Sequence, residues 1–517
     1  MYLNHLFLGG LAMVSHSRQA RAQTNSASAA GSCPTVLTSS SNDRPVVGSG
    51  YTAQLVVTGL SKPRGLIFDQ SGALLVVESG VGITRIRFDD RGGTCLLKTE
   101  SPTIYQDSSL NHGIELSPDG QTLYASSSSD VYSWPYTPET SNLGTKQTLI
   151  TNMSNSDHTT RTLLLSRKSP GLLLVSRGSS ENLDEDASSI SSGHSQIRVF
   201  NISSLALDSS SPSPFNYATD GQLLGWGLRN SVGVAEHPIT GGVYSVENSA
   251  DQLKRGGTDV HQDNPGEEMN FHGYLNDTPS LSSTSGPNFG YPHCFALWDT
   301  ENFPDKGDMK IGSQFVLDPD NGALNDATCA QDYIPPRLTF QAHMAPLDIK
   351  FTSDGGLAYV SFHGSWNRDE PVGYKLSVVS FDATSGEPVE AADSSEAAVD
   401  ILSNADNSRC PGKCFRPAGV AIDGQGRVFM SSDATGEIYV LQRAEMTALG
   451  GGGGGDGEGG GGSSTTTGGG TLVTGTAAPS SSPNAAASTL PAQGGGWLLV
   501  TLTLALSVIW GAFFVVA

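Results

Sequence analysis

VAIDGQGRVFMSSD, residues 420–433, is two short apolar runs around a Gly-containing turn, the second run ending in Ser. Apolar residues alternating on both sides of such a turn describe a β-hairpin. The phrase recurs as LIFDQSGALLVVES at 66–79, IELSPDGQTLYASS at 114–127, LLLSRKSPGLLLVS at 163–176, VAEHPITGGVYSVE at 234–247 and IKFTSDGGLAYVSF at 349–362. One four-stranded sheet built on such a hairpin cannot bury both of its faces, so these units stack around an axis. The expected fold is all-β, a six-bladed β-propeller over residues 44–445, with the hairpin forming the two innermost strands of each blade. The copies are spaced near 50 residues, then about 70, about 115 and about 70. A WD40 array is more regular. The long intervals therefore read as insertions, and loops on a rigid ring are where such folds carry function.

Outside the repeats the chain reads as addresses. Residues 6–14 are apolar and Ala20-Arg21-Ala22 gives an A-x-A site, the outline of a signal peptide over 1–22. Residues 446–496 form a Gly/Ser/Thr-rich linker. Residues 497–517 are apolar to the last residue, and the small triplet beginning at Asn484 lies ahead of them across a short spacer. That is the order of a GPI-anchor signal, with attachment near Asn484. A transmembrane helix is the alternative; the charge-free terminus favours the anchor. The expected location is the outer face of the plasma membrane, after secretion.

The net charge is −22. Neutralising phosphates takes a basic face, so nucleic acid is excluded as a partner. Six cysteines are present, without a C-x-x-C pair or zinc spacing. Six cysteines allow 15 pairings; the sequential one joins Cys33 to Cys95, Cys294 to Cys329 and Cys410 to Cys414. Sequons at Asn152, Asn201 and Asn276 agree with a secretory, oxidising route.

Chemistry gathers just outside the hairpins. Loops entering the innermost strands of a propeller open at one face of its channel, so equivalent positions converge there. The convergent set is Arg64, His112, His158, Arg229, His363 and Arg416, with Trp366 and Arg368 close by. His343-Met344-Ala345-Pro346 precedes the fifth hairpin. A chain poor in basic residues aims several at one place, which points to an anionic ligand. Trp366 offers a stacking face. The acidic stretch Asp251, Asp259, Asp263, Glu267 and Glu268 reads as a solvated loop, with a Ca²⁺ site as the sharper alternative.

The Arg64 loop, Asn111-His112-Gly113, Asp157-His158, Gly227-Leu228-Arg229-Asn230, Glu247–Asp251, Gly286–Pro292 and His363–Arg368 together resemble the soluble quinoprotein glucose/sorbosone dehydrogenases. The resemblance is strongest to their fungal branch, the pyrroloquinoline-quinone (PQQ)-dependent pyranose dehydrogenases, and covers about 44–443. It implies PQQ as cofactor, bound by Arg64, His112, Asn230, His363, Trp366, Arg368 and Arg416. It implies oxidation of a pyranose or aldose at the anomeric or adjacent carbon, with His158 as the general base on the sugar's anomeric hydroxyl, its pKa near-neutral and Asp157 to orient or tune it. Arg229 would stabilise charge developing on the quinone oxygen. It further implies Ca²⁺ against the cofactor, held partly by backbone carbonyls in the turn Ser249-Ala250. Neither a haem domain nor a carbohydrate-binding module is read in the chain, so electrons would pass to an external acceptor: a cytochrome, a copper oxidase or a quinone. Two other readings stand beside this one, a non-catalytic cell-surface interaction propeller and a Ca²⁺-dependent lactonase-like hydrolase.

Overall fold

The structure, a computed structural model, describes residues 33, 36–37, 43–204, 213–276, 282–319 and 324–444. All of them fall within one compact unit. The signal peptide, linker, Asn484 and apolar tail lie outside the described residues. Among the described residues no helix is long and apolar enough to cross a membrane.

The six repeated phrases are the six inner hairpins. The first blade starts with Pro63–Phe68 paired to Leu74–Glu78 and continues outward through Gly82–Asp90 and Leu96–Glu100. The innermost strands of the next five are Leu110–Leu116, Leu163–Leu165, Ser231–Glu236, Pro346–Phe351 and Pro417–Ile422. Each touches the next, and the last touches the first. The sixth blade borrows its outermost strand from the start of the chain: Tyr51–Val57 pairs antiparallel with Glu437–Arg443. The ring is thus closed by backbone hydrogen bonds between its two ends.

Burial follows from stacking. Leu74–Glu78 is buried at every position, because a blade has a neighbour on each face. Leu75 and Val77 of the first blade pack with Leu110, Ile114 and Leu123 of the second. The recurring Ser also crosses between blades. The hydroxyl of Ser126 donates to the Arg161 carbonyl, that of Ser361 to Ala418 and that of Ser431 to Arg64, at 2.6 to 2.8 Å. Glycine permits the approach. A Cβ on Gly65 would lie 2.3 Å from the His112 carbonyl oxygen, and one on Gly419 would lie 2.1 Å from that of Arg64.

The interval of about 115 residues holds a separately packed excursion. It carries the helix Asp326–Asp332 and a small apolar cluster including Leu253, Phe295, Phe303 and Phe315. Arg255 is buried within it, paired to both Asp326 oxygens and to the Pro304 and Val316 carbonyls. Cysteines pair sequentially, Cys33–Cys95, Cys294–Cys329 and Cys410–Cys414. The second bond ties the excursion's helix to the Tyr291–Ala296 segment.

Candidate active site

A cavity of about 170 Å³ opens where chain enters the innermost strands. Its walls are His158 and Arg229 on one side, Ser249, Asp251, Glu267 and His343 on another, and His363, Trp366, Asn367 and Arg416 on a third. Leu347 also lines it and packs with Val232 and Ala418, one residue from each of three successive inner strands.

The environment of His158 sets its tautomer. Nδ1 lies 3.1 Å from the Ser179 carbonyl and 2.9 Å from Ser179 Oγ. That hydroxyl donates its own proton to the Glu181 carbonyl at 2.8 Å. Both neighbours of Nδ1 are therefore acceptors, Nδ1 carries the proton, and Nε2 bears the lone pair. Burial, and then the charge of Arg229, pushes the pKa down to about 4. The imidazole is neutral at physiological pH, well below the near-neutral value expected from sequence. Ser179 orients the ring; Asp157, exposed, acts on it through charge alone.

Arg229 is buried and spends every N–H on protein oxygens. It donates to the Asn182 carbonyl and side chain, to the Asn248 and Ser249 carbonyls and to Asp251. Asp251 is a hub: it also takes Asn367 Nδ2 at 2.8 Å and pairs with His343 Nδ1 at 3.2 Å. His343 Nε2 meets the His261 carbonyl. With an acceptor at each nitrogen, His343 is held as imidazolium. Burial opposes that charge, but the hydrogen bond to Asp251 and the charge of Glu267 outweigh it, and its pKa is raised. The loop is strained as well, with His343 at φ 67° and Ala345 at φ 54°.

Three features are left facing the cavity. Arg416 donates from Nε and Nη2 to the His363 and Gly364 carbonyls, which leaves Nη1 uncommitted among the described residues. Asn367 Oδ1 is buried without a hydrogen-bond partner among the described residues. Trp366 is 65% exposed at the rim.

Other residues singled out from sequence stand elsewhere. Arg64 and His112 sit behind the cavity wall, where Arg64 Nε donates to His112 Nδ1 at 3.3 Å, and His112 lines a second cavity further along the channel. Asn230 is buried against Gly178, and Arg368 pairs with Asp263. The Ala250 side chain is buried in the excursion's apolar cluster. The acidic stretch is solvated only in part, at Asp259 and Asp263. Glu267 and Glu268 are buried, which pushes each carboxyl up to about 7. Glu267 accepts the Ser249 and Ala345 backbone N–H groups. Sequence reasoning gave no role to Asn367 or Ser179, and named Asp251 only within the acidic stretch. His343 was legible as a member of a loop entering the fifth hairpin; nothing in the sequence ties the others to it.

The TrAA12-like family matches residues 45–444. The chain belongs to this family. Among its relatives, a pyrroloquinoline quinone-dependent sugar dehydrogenase of Hypocrea jecorina is 49% identical over 402 residues, covering 77% of this chain and 90% of that protein. A pyrroloquinoline quinone-dependent pyranose dehydrogenase of Coprinopsis cinerea is 38% identical over 413 residues; the chain spans 54% of its length. A calcium structure of Trichoderma reesei Carbohydrate-Active Enzymes family AA12 superposes with a TM-score of 0.75 at 49% identity, over 79% of this chain and 99% of that one. The holo PQQ domain of the Coprinopsis cinerea pyranose dehydrogenase gives 0.73 at 35% identity, over 80% and 99%. The six-bladed ring of this TrAA12-like chain is thus the fold of its solved relatives.

Proposed function

We propose that this chain is a PQQ-dependent dehydrogenase that oxidises a pyranose sugar at its anomeric or adjacent carbon. The observation that carries the reading is His158: a neutral imidazole, its Nδ1 proton capped by Ser179, lining a cavity with cationic and aromatic groups on its walls. The names of relatives up to 49% identical support the cofactor and the substrate class. The residues present fit a planar polyanion. Arg229, Arg416 and the His343 imidazolium surround the cavity, the indole of Trp366 offers a flat face, and Asn367 Oδ1 awaits a donor. When bound, the quinone supplies the two-electron oxidant. His158 Nε2 accepts the proton of the sugar hydroxyl. Arg229 contributes charge and, through Asn182 and Asp251, fixes the wall opposite.

An oxygen-rich wall suits Ca²⁺. The Asn248 and Ser249 carbonyls, Asp251 and Glu267 are the hard donors that ion takes. Arg229 holds both carbonyls, so the ion and this guanidinium would share or exchange them. The cationic lining counts against a lactonase-like metal hydrolase, and a base held in a lined cavity is more than an interaction propeller needs.

The rest of the reading rests on sequence: secretion, a GPI anchor at the outer face of the plasma membrane, and transfer of electrons to a cytochrome, a copper oxidase or a quinone. The sequons Asn152, Asn201 and Asn276 are exposed, as glycan attachment requires. The test is to add PQQ and Ca²⁺ to the full-length protein and follow the cofactor's absorbance while aldoses are supplied. Uptake of PQQ and bleaching by a sugar is the expected result. No uptake at micromolar PQQ would overturn the reading.

A further inference from the structure

Three residues placed around the site by sequence depend on one anion, Asp433. It follows directly on the strand Val428–Ser432 and is the last residue of the sixth repeat. Its Oδ1 accepts from His363 Nε2 at 2.8 Å and its Oδ2 from Arg64 Nη1 at 2.6 Å. Arg64 Nε then donates to His112 Nδ1. Asp433 thereby links its own blade to the end of the fifth blade's second strand, through His363, and to the first blade's innermost strand, through Arg64. Its carboxyl and the side chains of Arg64 and His363 are 12 to 18% exposed. Burial would raise the Asp433 pKa, but the hydrogen bond from His363 and the charge and hydrogen bond of Arg64 hold it far below the usual carboxylate range.

An anionic carboxylate can only accept, so His363 Nε2 carries a proton. A second proton on the ring is disfavoured. Burial lowers the His363 pKa, and the charges of Arg416 and Arg64 add to that against the opposing pull of Asp433. Nδ1 is then a lone pair. No hydrogen bond reaches it among the described residues, and the ring lines the cavity.

We propose that Asp433 is a positioning residue that fixes His363 as a hydrogen-bond acceptor toward the cavity. His363 then receives an N–H or O–H of the bound group, while Arg416 Nη1 is left to donate to its anionic oxygens and the committed Arg229 and His343 contribute charge alone. This division of labour selects against a ligand that offers only acceptors. Arg64 has a second part here: it neutralises the other Asp433 oxygen and leaves His363 unprotonated at Nδ1. An arginine in this position cannot relay a proton, so the row from His363 to His112 is an orienting scaffold and not a proton path. The identity of the bound group as cofactor or sugar rests on the function proposed above.

The test reads the tautomer directly. Full-length protein carrying ¹⁵N-histidine is examined at neutral pH by long-range ¹H–¹⁵N spectra of the imidazole rings, with His363→Gln used to assign the signal. The expected result in the unloaded protein is a protonated Nε2 and a lone-pair Nδ1, the latter shifting when PQQ is added or, if the donor is a sugar hydroxyl, only when sugar follows. Asp433→Asn can donate to Nε2 and so allows the opposite tautomer. It is expected to move the ring signals and to weaken PQQ binding, or raise the KM for sugar, about tenfold, with partial rescue by Asp433→Glu. A purely structural role for Asp433 would lower Tm and leave the tautomer unchanged. A wild-type His363 that is protonated at Nδ1 overturns the proposal. So does a folded Asp433→Asn protein with unaltered Kd and KM. Failure of the wild-type protein to take up PQQ overturns the proposed function instead, and leaves the ring spectra to decide the role of Asp433.

Discussion

The two ends of the central channel differ in how their polar groups are satisfied. At the ends where the innermost strands leave, a cavity of about 520 Å³ is walled by strand residues from every blade. Its charges are matched within the wall: Lys350 with Asp348, and Arg167 with Glu115. Glu236 is taken up by Ser166 and by backbone N–H groups of the third blade. At the ends where the strands enter, the cavity is about 170 Å³, yet it keeps a lone pair on His158, a spare Arg416 Nη1, an unpartnered Asn367 Oδ1 and an exposed indole. The larger void is finished structure and the smaller one is unfinished, which is what a binding site requires before its ligand arrives. Loops supply the unfinished end because their side chains are not needed to hold blades together.

Replacing His158 would break that contrast most severely. His158→Gln is expected to lower kcat/KM about 10²- to 10⁴-fold, the usual worth of a general base, with PQQ binding close to wild type. Activity within threefold of wild type would remove the base from the site. The same residue sets a pH limb. With its pKa at about 4, the neutral ring is fully present above that value and kcat/KM falls as pH drops through it. Because the unfolded value is 6.5, the unfolded chain binds more protons between the two, so this group's contribution to stability rises with pH across that window.

Arg416→Met should come next. Losing one charge-assisted contact costs about 1.5–3 kcal/mol, and PQQ affinity measured by absorbance titration should fall about tenfold to a hundredfold. Trp366→Ala is expected to weaken PQQ or sugar binding only severalfold and to leave Tm unchanged, since an exposed ring buries little in the unloaded protein. The smallest effect belongs to the other mouth. Arg167→Gln removes a half-exposed ion pair worth about 0–1 kcal/mol, and kcat/KM should stay within twofold. A large loss of activity there would mean that the two ends are not functionally separate.

The parts of this site that were legible in the sequence are those carried by the repeat. His158, Arg229 and Arg416 stand four or five residues before a hairpin and His363 and Trp366 just after one, and all five line the entry cavity. Arg64 and His112 stand only two residues before theirs and do not line this cavity; Arg64 is held instead between Asp433 and His112. The offset gives the end of the channel and not the direction of the side chain. Asp251 and Glu267 come from the excursion after the fourth hairpin, whose internal packing follows no repeat. Its acidic run looked solvated because charge runs usually are, whereas here backbone N–H groups and His343 make burial tolerable.

By itself the sequence determined the six-bladed ring, the face on which chemistry collects and the residue types that face presents. Those follow from short-range rules, the hairpin turn and the alternation of apolar residues, repeated six times. Only the tertiary structure decided which cations are free and which are already committed. Arg229 and Arg416 look alike in the chain, but one has its donors spent on carbonyl and carboxylate oxygens and the other keeps a whole nitrogen, Nη1, uncommitted among the described residues. Protonation was likewise settled in space: burial sets His158 neutral, two acceptors hold His343 charged, and Asp433 chooses the tautomer of His363. These properties belong to distances between groups far apart in the chain, which no local pattern encodes.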